Sequence, residues 1–137
     1  ISGPNLNLLG AREKNIYGNV SLIEIYSKME DISANKDLLI ECKQSNSESE
    51  IIDFIQNAQN EFDGIIINAG GYTHTSVSIR DALKYFDGYI IEIHMSNIHA
   101  REEFRKISMI SGVSDGLIVG FGPDSYYLAL KAITSKL

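Results

Sequence analysis

Apolar positions along the chain follow two alternating patterns. Four short runs, residues 38–40, Gly64–Ile67, 89–93 and 117–119, are rich in isoleucine, leucine or valine and are bounded by glycine or polar residues. Unbroken apolar runs of this length suit strands buried on both faces of a parallel sheet. Between them, apolar residues recur three and four apart: Leu22, Ile25, Tyr26, Met29 and Ile32; Ile51, Ile55, Ala58 and Phe62; Ile79, Ala82, Leu83 and Phe86; Tyr126, Leu130, Ile133 and Leu137. Each set gives a helix one apolar stripe. Ser21 followed by Glu24 predicts a capping box at the first helix, and the serines of residues 45–49 offer caps for the second.

The chain opens at Ile1, without a methionine and partway along an apolar run, so residues are expected upstream and the first strand is read as incomplete. Counting that strand, the alternation predicts five strands and four or five helices. The fold class is α/β, a flavodoxin-like, doubly wound five-stranded parallel sheet with helices on both faces. A single catalytic domain over residues 1–137 is expected, because the length leaves little room for a second core. Such sheets bind ligands beyond the carboxyl ends of their strands, where the strand order reverses. Those ends carry Gly3-Pro4-Asn5, Asn68-Ala69-Gly70-Gly71 and His94-Met95-Ser96-Asn97.

Composition narrows the partners. Eighteen acidic residues against twelve basic ones give a net charge of −6, which argues against nucleic acid and anionic membrane surfaces. Cys42 is the only cysteine, so no intrachain disulfide forms and a cytoplasmic location is expected. No apolar run reaches membrane-spanning length, and no secretory leader is visible.

Several strand-end residues have chemical potential. Glu92 and His94 lie two apart on one strand, so their side chains share a face. A carboxylate beside an imidazole fixes its tautomer and favours the protonated form that a general acid needs. The competing account is a satisfied core histidine; the strand-end position favours chemistry. In residues 68–81 a glycine turn leads to a helix start near Thr75 or Ser76, where free N–H groups suit an anion. Asn68 and His74 could add hydrogen bonds there, although the segment could equally be a simple helix cap. Arg101 and Arg105, four apart, would share a helical face and clamp a carboxylate or hydroxyls; alternatively they pair locally with Glu102 or Glu103 in solvent.

Residues 7–18 form a long polar connection holding Arg12, Glu13, Lys14 and Tyr17, with the look of a lid. A tyrosine ordinarily ionises near pH 10, leaving on the order of a thousandth as tyrosinate at neutrality. Using Tyr17 as a base requires cations beside it, at about 1.4 kcal/mol per pH unit, and Arg12 and Arg101 are the candidates. Without them Tyr17 is a packing residue.

Other chemistries fit less well. His74, Ser76 and Asp81 lie on one turn and helix start, without the G-x-S-x-G elbow of a hydrolase. His74, His94 and His99 lack the pattern of a metal site. No P-loop or G-x-G-x-x-G is present, and Gly120-Phe121-Gly122-Pro123 reads as the turn into the last helix.

Three motifs, GPNLNLLG (residues 3–10), INAGGYTHTS (67–76) and EIHMSNIHAREEFR (92–105), together resemble type II dehydroquinases over essentially the whole chain. The resemblance implies a flavodoxin-like, cofactor-free and metal-free hydro-lyase. Its reaction would be the reversible anti elimination of water from 3-dehydroquinate to 3-dehydroshikimate through an enolate. It implies Tyr17 as tyrosinate base, with Arg12 and Arg101 lowering its pKa, and Asn5 holding a water against the enolate. His94, oriented by Glu92, would protonate the leaving hydroxyl. Asn68, Ser96 and the backbone near Met95 would grip the carboxylate, while His74 and Arg105 would bind ring hydroxyls.

Family members generally form trimers grouped into dodecamers, and Asp81 would meet Arg105 in a neighbouring subunit's site. Ser2 departs from the family's usual asparagine. The same reaction serves the shikimate route to aromatic amino acids and the breakdown of quinate. The alternative is a non-catalytic flavodoxin-like binding module for a small polyhydroxy acid, which would keep Asn68, Ser96 and Arg105 but would not need Tyr17. A phosphoacceptor domain is disfavoured because strand three ends in Asn68 rather than an aspartate.

Overall fold

The computed structural model describes residues 1–11 and 14–137, with Lys14 and Tyr17 described by backbone alone. Its centre is a parallel sheet of β1 (Gly64–Ile67), β2 (Tyr89–His94) and β3 (Gly116–Val119) in that order. Ile67 pairs with Glu92, Glu92 with Leu117 and His94 with Val119. Because side chains alternate across a strand, β2 sends Ile91 and Ile93 to one core and Ile90 to the other.

The helices are α1 (Lys14–Tyr17), α2 (Leu22–Ala34), α3 (Glu48–Ala58), α4 (Val77–Tyr85) and α5 (Asp124–Thr134). α2 and α5 cover the face with Ile91 and Ile93, where Leu22, Ile25, Met29, Tyr126, Leu130 and Ile133 are buried. α3 and α4 cover the other through Ile51, Ile55, Ala58, Ile79, Ala82 and Leu83. Burying an apolar side chain of this size contributes about 1.5–3 kcal/mol, which fixes the register of each helix on the sheet. The capping box forms as expected: Glu24 N–H donates to Ser21 Oγ at 3.2 Å and Ser21 N–H to the Glu24 carboxylate at 2.7 Å. Ser76 Oγ caps α4 by accepting from Ile79 N–H at 2.9 Å. Phe62 and Leu137 extend the predicted stripes past the helix ends, and Leu137 is exposed.

Of the five strands expected, three form the sheet among the described residues, and two isolated parallel bridges, Ser2 with Gln44 and Ser2 with Asn68, lie beside it. Ser2 N–H donates to Lys43 O at 2.8 Å and Ser45 N–H to Ser2 O at 3.0 Å; on the other side Asn68 N–H donates to Ile1 O at 3.0 Å and Gly3 N–H to Asn68 O at 2.7 Å. One paired residue on each side makes a bridge and not a ladder. Residues 38–40, predicted to form a strand, are not in one. Among the described residues no helix is long and apolar enough to cross a membrane.

Candidate functional site

Two of the strand-end motifs meet backbone to backbone. A side chain at Gly3 would put its Cβ 2.4 Å from the Ala69 carbonyl oxygen, so only glycine lets the two turns approach this closely. Asn68 is buried at this junction. Its Oδ1 accepts from Gly70 N–H at 3.2 Å and its Nδ2 donates to the Tyr126 hydroxyl at 3.4 Å. Tyr126 also bonds Ser2 Oγ at 3.1 Å. Burial pushes this phenol up to about 12, against the pull of the Ser2 and Asn68 hydrogen bonds. Tyr126 therefore stays neutral and acts as a fixed anchor for the Asn68 amide. Asn5 is exposed and left-handed (φ 68°), with its N–H donating to Asn46 Oδ1 at 2.9 Å.

The chemical centre lies at the carboxyl end of β2. Glu92 is completely buried and His94 is 5% exposed. His94 Nε2–H donates to Glu92 Oε1 at 2.7 Å. The carboxylate thereby fixes the imidazole tautomer, and Nδ1 is the ring nitrogen left for other work. Ser108 Oγ donates to the same oxygen at 2.8 Å, and Ser111 Oγ donates to Oε2. Burial alone pushes Glu92 up; the hydrogen bonds from His94, Ser111 and Ser108 and the His94 charge outweigh it and hold the carboxyl below its ordinary value.

His74 stacks near His94, with ring centroids 6.3 Å apart. Its Nδ1–H donates to Ile107 O at 2.7 Å, tying the turn Gly70–His74 to the loop after β2. The backbone at the end of β2 is clasped by the 120–123 turn, as Gly120 N–H donates to His94 O at 3.2 Å and Gly122 N–H to Met95 O at 2.9 Å. Arg101 Nη1 donates to Ser96 Oγ at 3.3 Å.

Two expectations need correction. Arg101 and Arg105 do not share a helical face, because residues 98–105 form two 3-10 turns, Ile98–Ala100 and Glu103–Arg105, separated by an extended Arg101. Both guanidiniums instead approach Glu102, Arg105 at 2.8 Å and Arg101 at 3.7 Å, which is the local pairing raised as the alternative. The start of α4 already has an anionic neighbour, since Ser76 Oγ donates to the Glu48 carboxylate. Asp81 is exposed on α4, outside the cluster formed by Glu92, His94 and His74.

Arg12 lies outside the described residues. The backbone of Tyr17 closes the one-turn helix α1. Ser108, Ser111 and Tyr126 carry no signal of a site role in the sequence, although they hold Glu92 and Asn68; only a contact between distant segments reveals them. A cavity of about 350 Å³ lies elsewhere, lined by Ile1, Leu39, Phe54, Phe62 and Leu137, and none of the candidate residues borders it. Among the described residues no three His, Cys, Asp or Glu side chains gather as metal ligands.

The family model described as Dehydroquinase class II matches residues 1–134. A 3-dehydroquinate dehydratase of a Nitratiruptor species is 53% identical over 133 residues, covering 97% of this chain and 85% of that protein. One from Sulfurimonas denitrificans is 52% identical over 137 residues, covering 100% and 86%. The crystal structure of type II dehydroquinase from Butyrivibrio crossotus superimposes with a TM-score of 0.95 at 47% identity, over 97% of this chain and 93% of that one.

Proposed function

The chain belongs to the type II dehydroquinase family, and on that premise we propose that it dehydrates 3-dehydroquinate to 3-dehydroshikimate through an enolate. The observation that carries the reading is the buried Glu92–His94 hydrogen bond of 2.7 Å at the carboxyl end of β2. It supplies an oriented imidazole where this kind of sheet binds ligands.

The reaction needs a base for the proton beside the ketone, a pocket for the negative oxygen and an acid for the departing hydroxyl. We assign the base to Tyr17 as tyrosinate, with Arg12 and Arg101 lowering its pKa, and the enolate-stabilising water to Asn5. The electron pair of the broken C–H bond moves to the ketone oxygen as the enolate forms. On its return the hydroxyl opposite leaves, taking the proton of His94 and departing as water. Asn68, Ser96 and the Met95 backbone would hold the substrate carboxylate, and His74 and Arg105 the ring hydroxyls. General acid–base assistance of this kind contributes about 10²–10⁴-fold each.

The same reading covers the larger setting. The incomplete strand at Ile1 and the run of residues 38–40 would complete a five-stranded flavodoxin-like sheet in one catalytic domain. Trimers would assemble into a dodecamer in the cytoplasm, with Asp81 meeting Arg105 of a neighbouring subunit. No cofactor or metal is required. The test is incubation with 3-dehydroquinate while following the conjugated enone in the ultraviolet, with and without chelator or borohydride. Turnover that survives both is expected. Binding without turnover would favour the binding module, loss with chelator a metal, and inactivation by borohydride an imine.

A further inference from the structure

Ser108 and Ser111 sit in the loop between the turn Glu103–Arg105 and β3, and each touches a different oxygen of Glu92. The orientation of Ser108 is dictated by its backbone. Its Oγ accepts from Ile110 N–H at 3.1 Å and from Ser111 N–H at 3.0 Å, which occupies both lone pairs and leaves its proton for Glu92. The loop is anchored independently of Glu92: Met109 N–H donates to Thr73 O at 2.8 Å, Arg80 Nη1 donates to Met109 O at 3.2 Å, and Ile110 is fully buried in the α3–α4 core. The two hydroxyls are thus set in place by the fold before Glu92 is considered.

Glu92 consequently receives His94 and Ser108 on Oε1 and Ser111 on Oε2. An ionised carboxylate accepts all three; a protonated one would aim its own hydrogen at one of these donors. We propose that Ser108 and Ser111 are positioning residues that lock Glu92 as a fixed, ionised acceptor, so that His94 keeps its Nε2 proton on Glu92 and presents Nδ1 as the proton-donating nitrogen. This rests on the dehydratase reading for its consequence in catalysis, though not for its geometry. The depressed proton affinity of Glu92 agrees with it. His74 of the Gly70–His74 turn faces the pair, and Arg80 of α4 donates to the Met109 carbonyl of the serine loop. The neighbouring strands place Ile67 and Leu117 opposite Glu92.

The experiment compares Ser108→Ala, Ser111→Ala and the double variant with the parent in kcat pH profiles and in the imidazole nitrogen-15 shifts of His94. The acid limb should move to higher pH by about one pH unit for each hydroxyl removed, with kcat falling more than KM changes, and His94 should become a mixture of tautomers. Ser111→Thr should restore the parental limb, and Ser114→Ala, whose hydroxyl bonds Ile110 O at 3.0 Å, should leave it in place. An unmoved limb with an unmixed tautomer, or a uniform loss of rate at every pH, overturns the proposal. If Ser108→Ala fails to fold for want of its backbone bonds, Ser111→Ala decides alone. If the parent shows no turnover, the dehydratase reading fails, and the tautomer measurement still decides whether the serines position His94.

Discussion

Glu92 and Glu102 each hold a basic partner, and they do so by opposite physics. Glu92 is sealed inside the sheet, with both oxygens hydrogen-bonded to groups fixed by the fold. Glu102 is exposed beside Arg105 and Arg101. Both carboxyls lie below their ordinary value. For Glu92 burial opposes this and three donors overcome it; for Glu102 its own backbone N–H leads, followed by Arg105. A buried carboxylate with every partner preorganised can orient a proton donor without reorganising. An exposed one is paired weakly and yields its arginines to a better anion. The contrast divides the candidate site into a rigid half around Glu92 and His94 and an adjustable half around Glu102.

The strongest way to break this division is to remove the groups proposed to transfer protons. His94→Ala and Tyr17→Phe should each lower turnover on the order of 10²–10⁴-fold, while Tyr17→Phe retains substrate binding. Steady-state kinetics with direct binding measurements check this, and a near-parental rate in either variant removes that residue from its role. Next in size is stability. Glu92→Ala strands the His94 ring and two serine hydroxyls without their acceptor and should cost about 3–5 kcal/mol in urea unfolding. Glu102→Ala should cost only a small fraction of that. Equal losses would erase the distinction between the two pairs.

The legible part of this site is the part that is local in sequence. Glu92 and His94 can be placed together because a strand repeats every two residues, and Asn68 because β1 ends where its apolar run stops. The helix expected over Arg101 and Arg105 does not form because spacing alone cannot fold one. That segment has no apolar stripe to bury, and Phe104 is left exposed. Ser108 and Ser111 lie 16 and 19 residues beyond Glu92, and Tyr126 lies 58 beyond Asn68. Nothing periodic links such positions, since the sheet and the loop anchors bring them together. The two further strands expected are likewise visible as apolar runs, but a ladder needs consecutive paired residues, and among the described residues beside the sheet Ser2 is bridged on both sides without paired neighbours.

A smaller effect separates the pairs by pH. The folded value of Glu92 is depressed, so its stabilising contribution is fully present above the ordinary carboxylate value near 4.5 and is lost as pH falls through the lower folded value. The stability gap between the parent and Glu92→Gln should therefore close progressively as pH falls below about 5. A gap that instead widened on acidification would mean that Glu92 is protonated in the folded protein and that the serines do not hold it ionised.

Smallest of all is the response to salt. At about 0.15 M ionic strength the screening length is near 8 Å, and at about 1 M it shrinks to near 3 Å, so an exposed pair loses its attraction across this range while a sealed one does not. Melting temperatures of the parent and Glu102→Gln should converge as salt rises, because the pairing of Glu102 with Arg105 is what separates them. The difference between the parent and Glu92→Gln should survive, since no ion reaches that carboxylate. If both differences vanished together, solvent would have access to the Glu92–His94 pair. Its serine donors would then be competing with water, and the rigid half of the site would be no more preorganised than the adjustable one.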